Sequence, residues 1–165
     1  FDATQIRERI QTTCEEIIEQ TRRNAREFVW TSIRSIDELA QVRMTAMEEF
    51  LSDFPAGKTE GRYVDAALPN LPFDESAFDL VLCSHLLFLY TDQLAEALHQ
   101  SAIREMWRVR AEVRIFALLA LGARSSPLVM PMVDEFTALG FDVSIDDVPY
   151  EFQRGGNQMM RIRQP

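Results

Sequence analysis

Apolar residues recur along the first third of the chain at helical spacing and along the rest at strand and helix spacing in turn. Ile6, Ile10, Cys14, Ile17, Thr21, Ala25 and Phe28 follow one another at steps of three or four, the stripe of one long amphipathic helix. Asp2 with Gln5 three positions on suits an N-terminal cap, since a side-chain oxygen there takes a backbone N–H that the helix leaves unpaired. Ser35-Ile36-Asp37-Glu38 is a better capping box and opens a second helix. Its apolar side holds Leu39, Ala40, Met44, Met47, Phe50 and Leu51, and Pro55-Ala56-Gly57 is expected to end it. Residues 1–60 thus predict a helical pair.

From residue 61 the pattern changes. Arg62 to Ala66 reads as a weak strand and Phe78 to Ser84 as a strong one. Phe78, Leu80, Val81 and Leu82 have almost no polar relief, as in a central strand buried on both faces of a parallel sheet. Thr91-Asp92 predicts the cap of a helix through Leu94, Leu98, Ile103 and Met106 to about Val109, and Glu112 to Leu119 predicts the next strand. Ser125-Ser126-Pro127 offers a cap and a first-turn proline for a helix that Gly140 closes. Phe141 to Val148 and Gln158 to Arg163 predict two antiparallel strands joined by a loop holding Arg154-Gly155-Gly156-Asn157. The alternation predicts an α/β domain over residues 61–165, a Rossmann-like, mostly parallel sheet with a C-terminal antiparallel strand.

Candidate chemistry gathers where the strong strand stops. Its apolar run gives way to Cys83, Ser84 and His85, and in open α/β sheets ligands bind at the carboxyl ends of strands. An imidazole there can line a pocket, serve as acid or base, or simply bond a loop carbonyl, and all three readings stay open. Cys83 with His85 supplies only two ligands, so no metal site is expected. His99 falls in mid-helix, at a surface or half-buried position. Phe88, Tyr90, Tyr150 and Phe152 suit either an aromatic substrate pocket or the core.

The stretch Leu71-Pro72-Phe73-Asp74-Glu75-Ser76-Ala77-Phe78-Asp79-Leu80-Val81 resembles the region around the fourth strand of class I S-adenosylmethionine-dependent methyltransferases, which often read "LPF", a few polar residues, then "FDLV". Glu105-Met106-Trp107-Arg108-Val109 is similar to the end of that family's next helix, and the resemblance spans about residues 61–165. It implies methyl transfer from S-adenosylmethionine to a small molecule. It also implies that Ser84, His85 and Leu86 line the cofactor pocket, and that His85, Tyr90 and Tyr150 face the substrate. The acidic residue that the family often sets before "LPF" to meet adenine is replaced here by Ala67. Adenine contact would therefore rest on the backbone of Ala67 and Leu68. Asp65 stands two residues early for that role.

Other family features are missing. The glycine-rich turn E/D-x-G-x-G-x-G after the first strand is absent, since Gly57, Gly61, Gly122, Gly140, Gly155 and Gly156 form no such cluster. The acid that ends the family's second strand is missing too, and Arg110-Ala111-Glu112 replaces its usual Pro-Gly-Gly turn. That family orders its sheet third, second, first, fourth, fifth, seventh, sixth, with the last two an antiparallel finish. A strand at Arg62 to Ala66 would then have no neighbour, and an orphan strand is not viable. The expectation is an incomplete chain whose first two strands lie upstream, or else a rebuilt smaller sheet. In the family's order the helical pair would enter beside the cofactor mouth, as a lid or as a structural pair.

Composition changes this picture little. With 165 residues, 47% apolar, the chain can bury a core without metals or disulfides. A net charge of −9, with sixteen scattered Arg and one Lys, argues against a nucleic-acid partner. No apolar run approaches the roughly 18 residues that a membrane span needs, and no signal peptide is visible. Cys14 and Cys83 suit reduced thiols of a cytoplasmic protein. Two function classes remain, a small-molecule methyltransferase and a non-catalytic interaction module of the same fold. Oligomeric state is not legible.

Overall fold

The computed structural model describes residues 2–164. Contacts divide the chain into two units, one up to Asp65 and one from Ala66 onward.

In the first unit, helix α1 (Ala3–Arg23) opens on a reciprocal capping box between Asp2 and Gln5, as the sequence predicts. It ends sooner than the apolar stripe. A short 3-10 turn (Ala25–Glu27) comes next, and the Trp30 indole N–H donates to the Ala25 carbonyl at 2.8 Å. Helix α2 (Ile36–Thr59) is capped by Ser35, whose hydroxyl accepts from the Glu38 amide at 3.0 Å, while Glu38 accepts from the Arg34 amide at 2.8 Å. Pro55 and Gly57 do not end this helix, and both lie inside it.

Nor is Arg62 to Ala66 a strand. The Arg62 and Tyr63 amides both donate to the Gly57 carbonyl, Arg62 pairs with Asp53, and the Tyr63 hydroxyl donates to Asp53 at 2.7 Å. The segment folds back on α2 because those partners are local, whereas a strand there has nothing to pair with.

The second unit holds a four-stranded sheet in the order β1-β2-β6-β5, formed by β1 (Phe78–Ser84), β2 (Arg110–Phe116), β5 (Asp142–Asp147) and β6 (Gln158–Arg163). A small ribbon pairs β3 (Leu119–Ala120) with β4 (Arg124–Ser125). β1 and β2 are parallel, and β6 runs against both β2 and β5. The sheet is therefore mixed rather than mostly parallel: two of its three pairings are antiparallel, although only β6 is reversed. The β5–β6 hairpin predicted from the paired glycines is present. Helices α3 (Glu96–Arg108) and α4 (Val129–Ala138) pack on one face. That face is built of two rows, Val81–Val113–Ile162–Val143 and Cys83–Ile115–Met160–Ile145, against which Ile103, Met106, Met132 and Phe136 close the core.

β1 departs from expectation. It is an edge strand, and only Val81 and Cys83 turn to the core. Phe78, Leu80 and Leu82 lie on the other face and are exposed, Leu82 by 67%. On that face the rows read Leu80–Glu112–Arg163–Asp142 and Leu82–Arg114–Arg161–Ser144, laced by ion pairs from Arg163 to Asp142 and from Arg161 to Asp146.

Helix and strand ends also differ from expectation. Thr91-Asp92 does not cap α3: Thr91 bonds the Phe88 carbonyl and the Ser126 hydroxyl, and Asp92 pairs with Arg124. Ser126 accepts from the Leu128 amide, one residue before α4. Gly140 comes just after α4 with φ +90°, a left-handed conformation that suits glycine. Among the described residues, no helix is long and apolar enough to cross a membrane.

Candidate functional site

The carboxyl ends of β1 and β2 lie side by side, with Ser84 in register with Phe116. The chain then turns sharply. His85 has φ +53°, a left-handed backbone that non-glycine residues adopt rarely and often at functional sites. Its amide donates to the Phe116 carbonyl, which ties the turn to the end of β2. The Ser84 hydroxyl and His85 Nδ1 are 2.7 Å apart. The imidazole meets the Phe116 ring nearly edge-on, with centroids 5.5 Å apart, and Phe116 meets Tyr150 at 5.9 Å. Ser84, His85, Phe116 and Tyr150 thus form one cluster, with Ser84, His85 and Tyr150 exposed.

The loop after β1 is firmly held. Leu86 and Tyr90 stay exposed, while Leu87 and Phe88 turn into the core. Phe88 is therefore a packing residue rather than a pocket wall. His99 is not at the surface: it is fully buried in α3, with Nδ1 3.1 Å from the Ala95 carbonyl and Nε2 3.0 Å from the Leu87 carbonyl. The helical pattern alone gives no sign of the Leu87 carbonyl, which comes from the loop that His99 clamps. The Leu121 amide donates to Leu89, and the Thr91–Ser126 and Asp92–Arg124 contacts join the loops after β1 and β2. Cys83 is buried, which pushes its thiol pKa up and leaves it a poor nucleophile.

Ala67 and Leu68 belong to a different turn, closed by the Asn70 amide on the Ala67 carbonyl, and Leu68 packs on the core. Just beyond it, the Leu71 amide donates to Glu105 at 2.8 Å, and Arg108 reaches the Leu71 carbonyl at 3.2 Å. Arg108 and the Leu71 amide hold the Glu105 carboxyl down at about 2.

Phe116 is the site residue that sequence reasoning missed. The expected strand runs on to Leu119 and leaves Phe116 in its middle. A strand ending three residues earlier sets it beside Ser84.

Chemically the cluster offers a hydroxyl bonded to an imidazole, beside exposed aromatic and aliphatic surface. Among the described residues, no group of three or more His, Cys, Asp or Glu could hold a metal ion. No family model matches the chain, and no solved structure matches it. An uncharacterized protein of Methanocaldococcus jannaschii is 29% identical over 136 residues, 82% of this chain and 58% of that relative. The chain thus spans somewhat more than half the length of that relative.

Proposed function

We propose that the chain is part of an S-adenosylmethionine-dependent methyltransferase acting on a small molecule. One observation carries the reading. The order β1-β2-β6-β5, with β6 alone reversed, matches in order and sense the fourth, fifth, seventh and sixth strands of the family that the sequence resembles. In this reading β1 is an edge only in these residues, and a further parallel strand of a longer protein pairs with it. The greater length of the Methanocaldococcus relative agrees. So does the contact between the two resembling segments, where Glu105 and Arg108 hold Leu71.

The residues present fit one part of such a cofactor. Ser84 offers a hydroxyl, His85 an imidazole, and Leu86 a side chain that is 44% exposed. The glycines of this unit lie in the β3–β4 turn, after α4 and in the β5–β6 loop, and none of them builds the family's glycine-rich turn. The ribose and carboxylate contacts therefore fall to other residues of the longer protein. Ala67 and Leu68 remain on the adenine side, with Tyr90 and Tyr150 on the substrate side. The cofactor supplies an electrophilic methyl group. This chain's task is to orient the acceptor and exclude water, which is why no nucleophile or metal is needed.

Calorimetric titration with S-adenosylmethionine tests the reading. The complete reading frame should bind in the micromolar range, roughly 8 kcal/mol, and the 165 residues alone far more weakly. His85→Ala should weaken the complete protein. No binding by the complete protein overturns the reading.

A non-catalytic interaction module is the second reading, favoured by the exposed side of α2. A shallow groove of about 370 Å³ there is lined by Gln41, Val42, Thr45, Ala46 and Glu49. The same titration separates the two.

A further inference from the structure

The cluster at the ends of β1 and β2 says something about the acceptor. A cofactor contact alone explains neither the Ser84–His85 hydrogen bond nor the run of rings beside it. The bond length of 2.7 Å leaves no room for a water between hydroxyl and imidazole. A serine hydroxyl rotates freely and either donates or accepts, so it satisfies Nδ1 whether or not that nitrogen carries a proton. The imidazole can therefore gain a proton without losing its partner. Its backbone is fixed as well, by the left-handed turn and by the hydrogen bond that its N–H donates to the Phe116 carbonyl.

The surface around the pair points the same way. Phe116 and Tyr150 extend from the imidazole by edge-to-face contacts, and Tyr150 is 51% exposed. Leu86 on the same turn is exposed too. The exposed Tyr150 ring and the half-buried Phe116 ring beside a fixed imidazole present apolar faces and edges that suit a planar aromatic ligand. The polar pair then meets whatever polar group that ligand carries.

We infer that the acceptor is an aromatic compound bearing a hydroxyl or amino group, seated against Phe116 and Tyr150, and that the Ser84–His85 pair takes its proton. The inference rests on the methyltransferase reading. The new bond runs from the acceptor's oxygen or nitrogen to the transferred methyl carbon. The carbon–sulfur bond breaks with its electron pair left on sulfur, and the acceptor's proton ends on the imidazole. Where Ser84 accepts from Nδ1–H, the proton arrives at Nε2. Where Ser84 donates to Nδ1, its hydroxyl takes the acceptor's proton and passes its own to Nδ1. In both cases the resulting imidazolium donates to the Ser84 oxygen, a charge-assisted hydrogen bond. His85 is then the catalytic base, and Ser84 positions it or relays the proton.

The test uses this chain and p-nitrophenol, an aromatic alcohol whose anion is coloured. At a pH below the midpoint of the free probe, adding the chain should raise the anion absorbance to a saturating level. His85→Ala should abolish the rise and Ser84→Ala should cut it about tenfold, the share of one charge-assisted hydrogen bond. Phe116→Ala should weaken the probe's affinity without removing the rise at saturation. Cyclohexanol, with a hydroxyl but no aromatic ring, should not compete. Far-UV circular dichroism checks that each variant is folded. As a second measurement, nitrogen-resolved imidazole spectra should shift on adding phenol at His85 and not at the buried His99.

A rise that survives His85→Ala, no rise up to millimolar probe, or equal shifts at both histidines each overturn the inference. The two readings fail separately. A rise that needs His85, in a protein whose complete form ignores S-adenosylmethionine, removes the methyltransferase and leaves an aromatic-binding site. Cofactor binding with no rise keeps the methyltransferase and removes the aromatic acceptor.

Discussion

Gly57 offers the sharpest test of how the first unit is held. It is buried in the last turns of α2 because the Tyr63 ring lies over it. A Cβ at Gly57 would overlap Tyr63 Cε2 and stand 2.6 Å from Cδ2. The ring is not free to step aside. Its hydroxyl is bonded to Asp53, it lies edge-on to Phe50 with centroids 5.3 Å apart, and the Tyr63 amide is bonded to the Gly57 carbonyl. Gly57→Ala therefore sets two effects against each other. Alanine in a helix interior gains about 1 kcal/mol over glycine. Overpacking costs about 1–3 kcal/mol, toward the upper end for so close an approach, and moving the ring also breaks its hydrogen bond to Asp53. The net expectation is a loss of about 1–2 kcal/mol.

The assay is urea unfolding followed by circular dichroism at the helical signal, run on Gly57→Ala, Tyr63→Ala and the double variant. Without the tyrosine ring only Arg62 Nη1, the end of a flexible side chain, stands near the added Cβ at 3.0 Å, so in the Tyr63→Ala background the same Gly57→Ala change should stabilise by up to about 1 kcal/mol. That reversal of sign isolates the coupling between two touching residues. A single variant as stable as its parent, or the same sign in both backgrounds, refutes the account of Gly57.

The second unit yields two further expected outcomes. Leu82→Ser should leave the denaturation midpoint of this chain nearly unchanged, since Leu82 is 67% exposed, whereas fully buried Ile162→Ala should cost about 2–5 kcal/mol; equal losses would put β1 back in the interior. Glu105 titrates at about 2 in the folded chain against an ordinary 4.5, so its stabilisation is complete above pH 4.5 and drains away as pH falls toward 2. Glu105→Gln should flatten part of the acid loss in that window, read by chemical unfolding at stepped pH. Asp53, also held near 2 by Arg62 and Tyr63, supplies another part.

Features whose signal is local are legible in the sequence. Both helix caps come from short spacings, Asp2 with Gln5 and Ser35 with Glu38. The β5–β6 hairpin comes from two apolar-bearing runs around paired glycines. Ser84, His85 and Tyr150 are all candidates on sequence grounds, and the structure gathers them around Phe116. The features that are not legible depend on partners the pattern does not name. Arg62 to Ala66 has strand-like composition, but a strand needs a neighbour, and Asp53 and Gly57 are closer. His99 reads as a surface or half-buried residue until the loop after β1 brings the Leu87 carbonyl to its ring. Gly57 reads as a helix stop, yet its role is to leave room for Tyr63.

β1 shows why an apolar run alone does not settle burial. Phe78, Leu80, Val81 and Leu82 form a nearly unbroken apolar strand, yet only one of its faces meets the core. The opposite face is not uniformly apolar across the sheet. Moving from β1 to β5, the rows pass from Leu80 to Glu112, Arg163 and Asp142, and from Leu82 to Arg114, Arg161 and Ser144. A helix laid across the whole face would strip water from the Arg163–Asp142 and Arg161–Asp146 pairs, and desolvating ion pairs is expensive. A cover confined to β1 would remove only apolar surface, at a gain of about 25 cal/mol per Å². The same sheet thus presents a charged region suited to water and one apolar margin suited to a neighbour. That margin runs along the unpaired edge of β1 and stops at Ser84, where the candidate site begins.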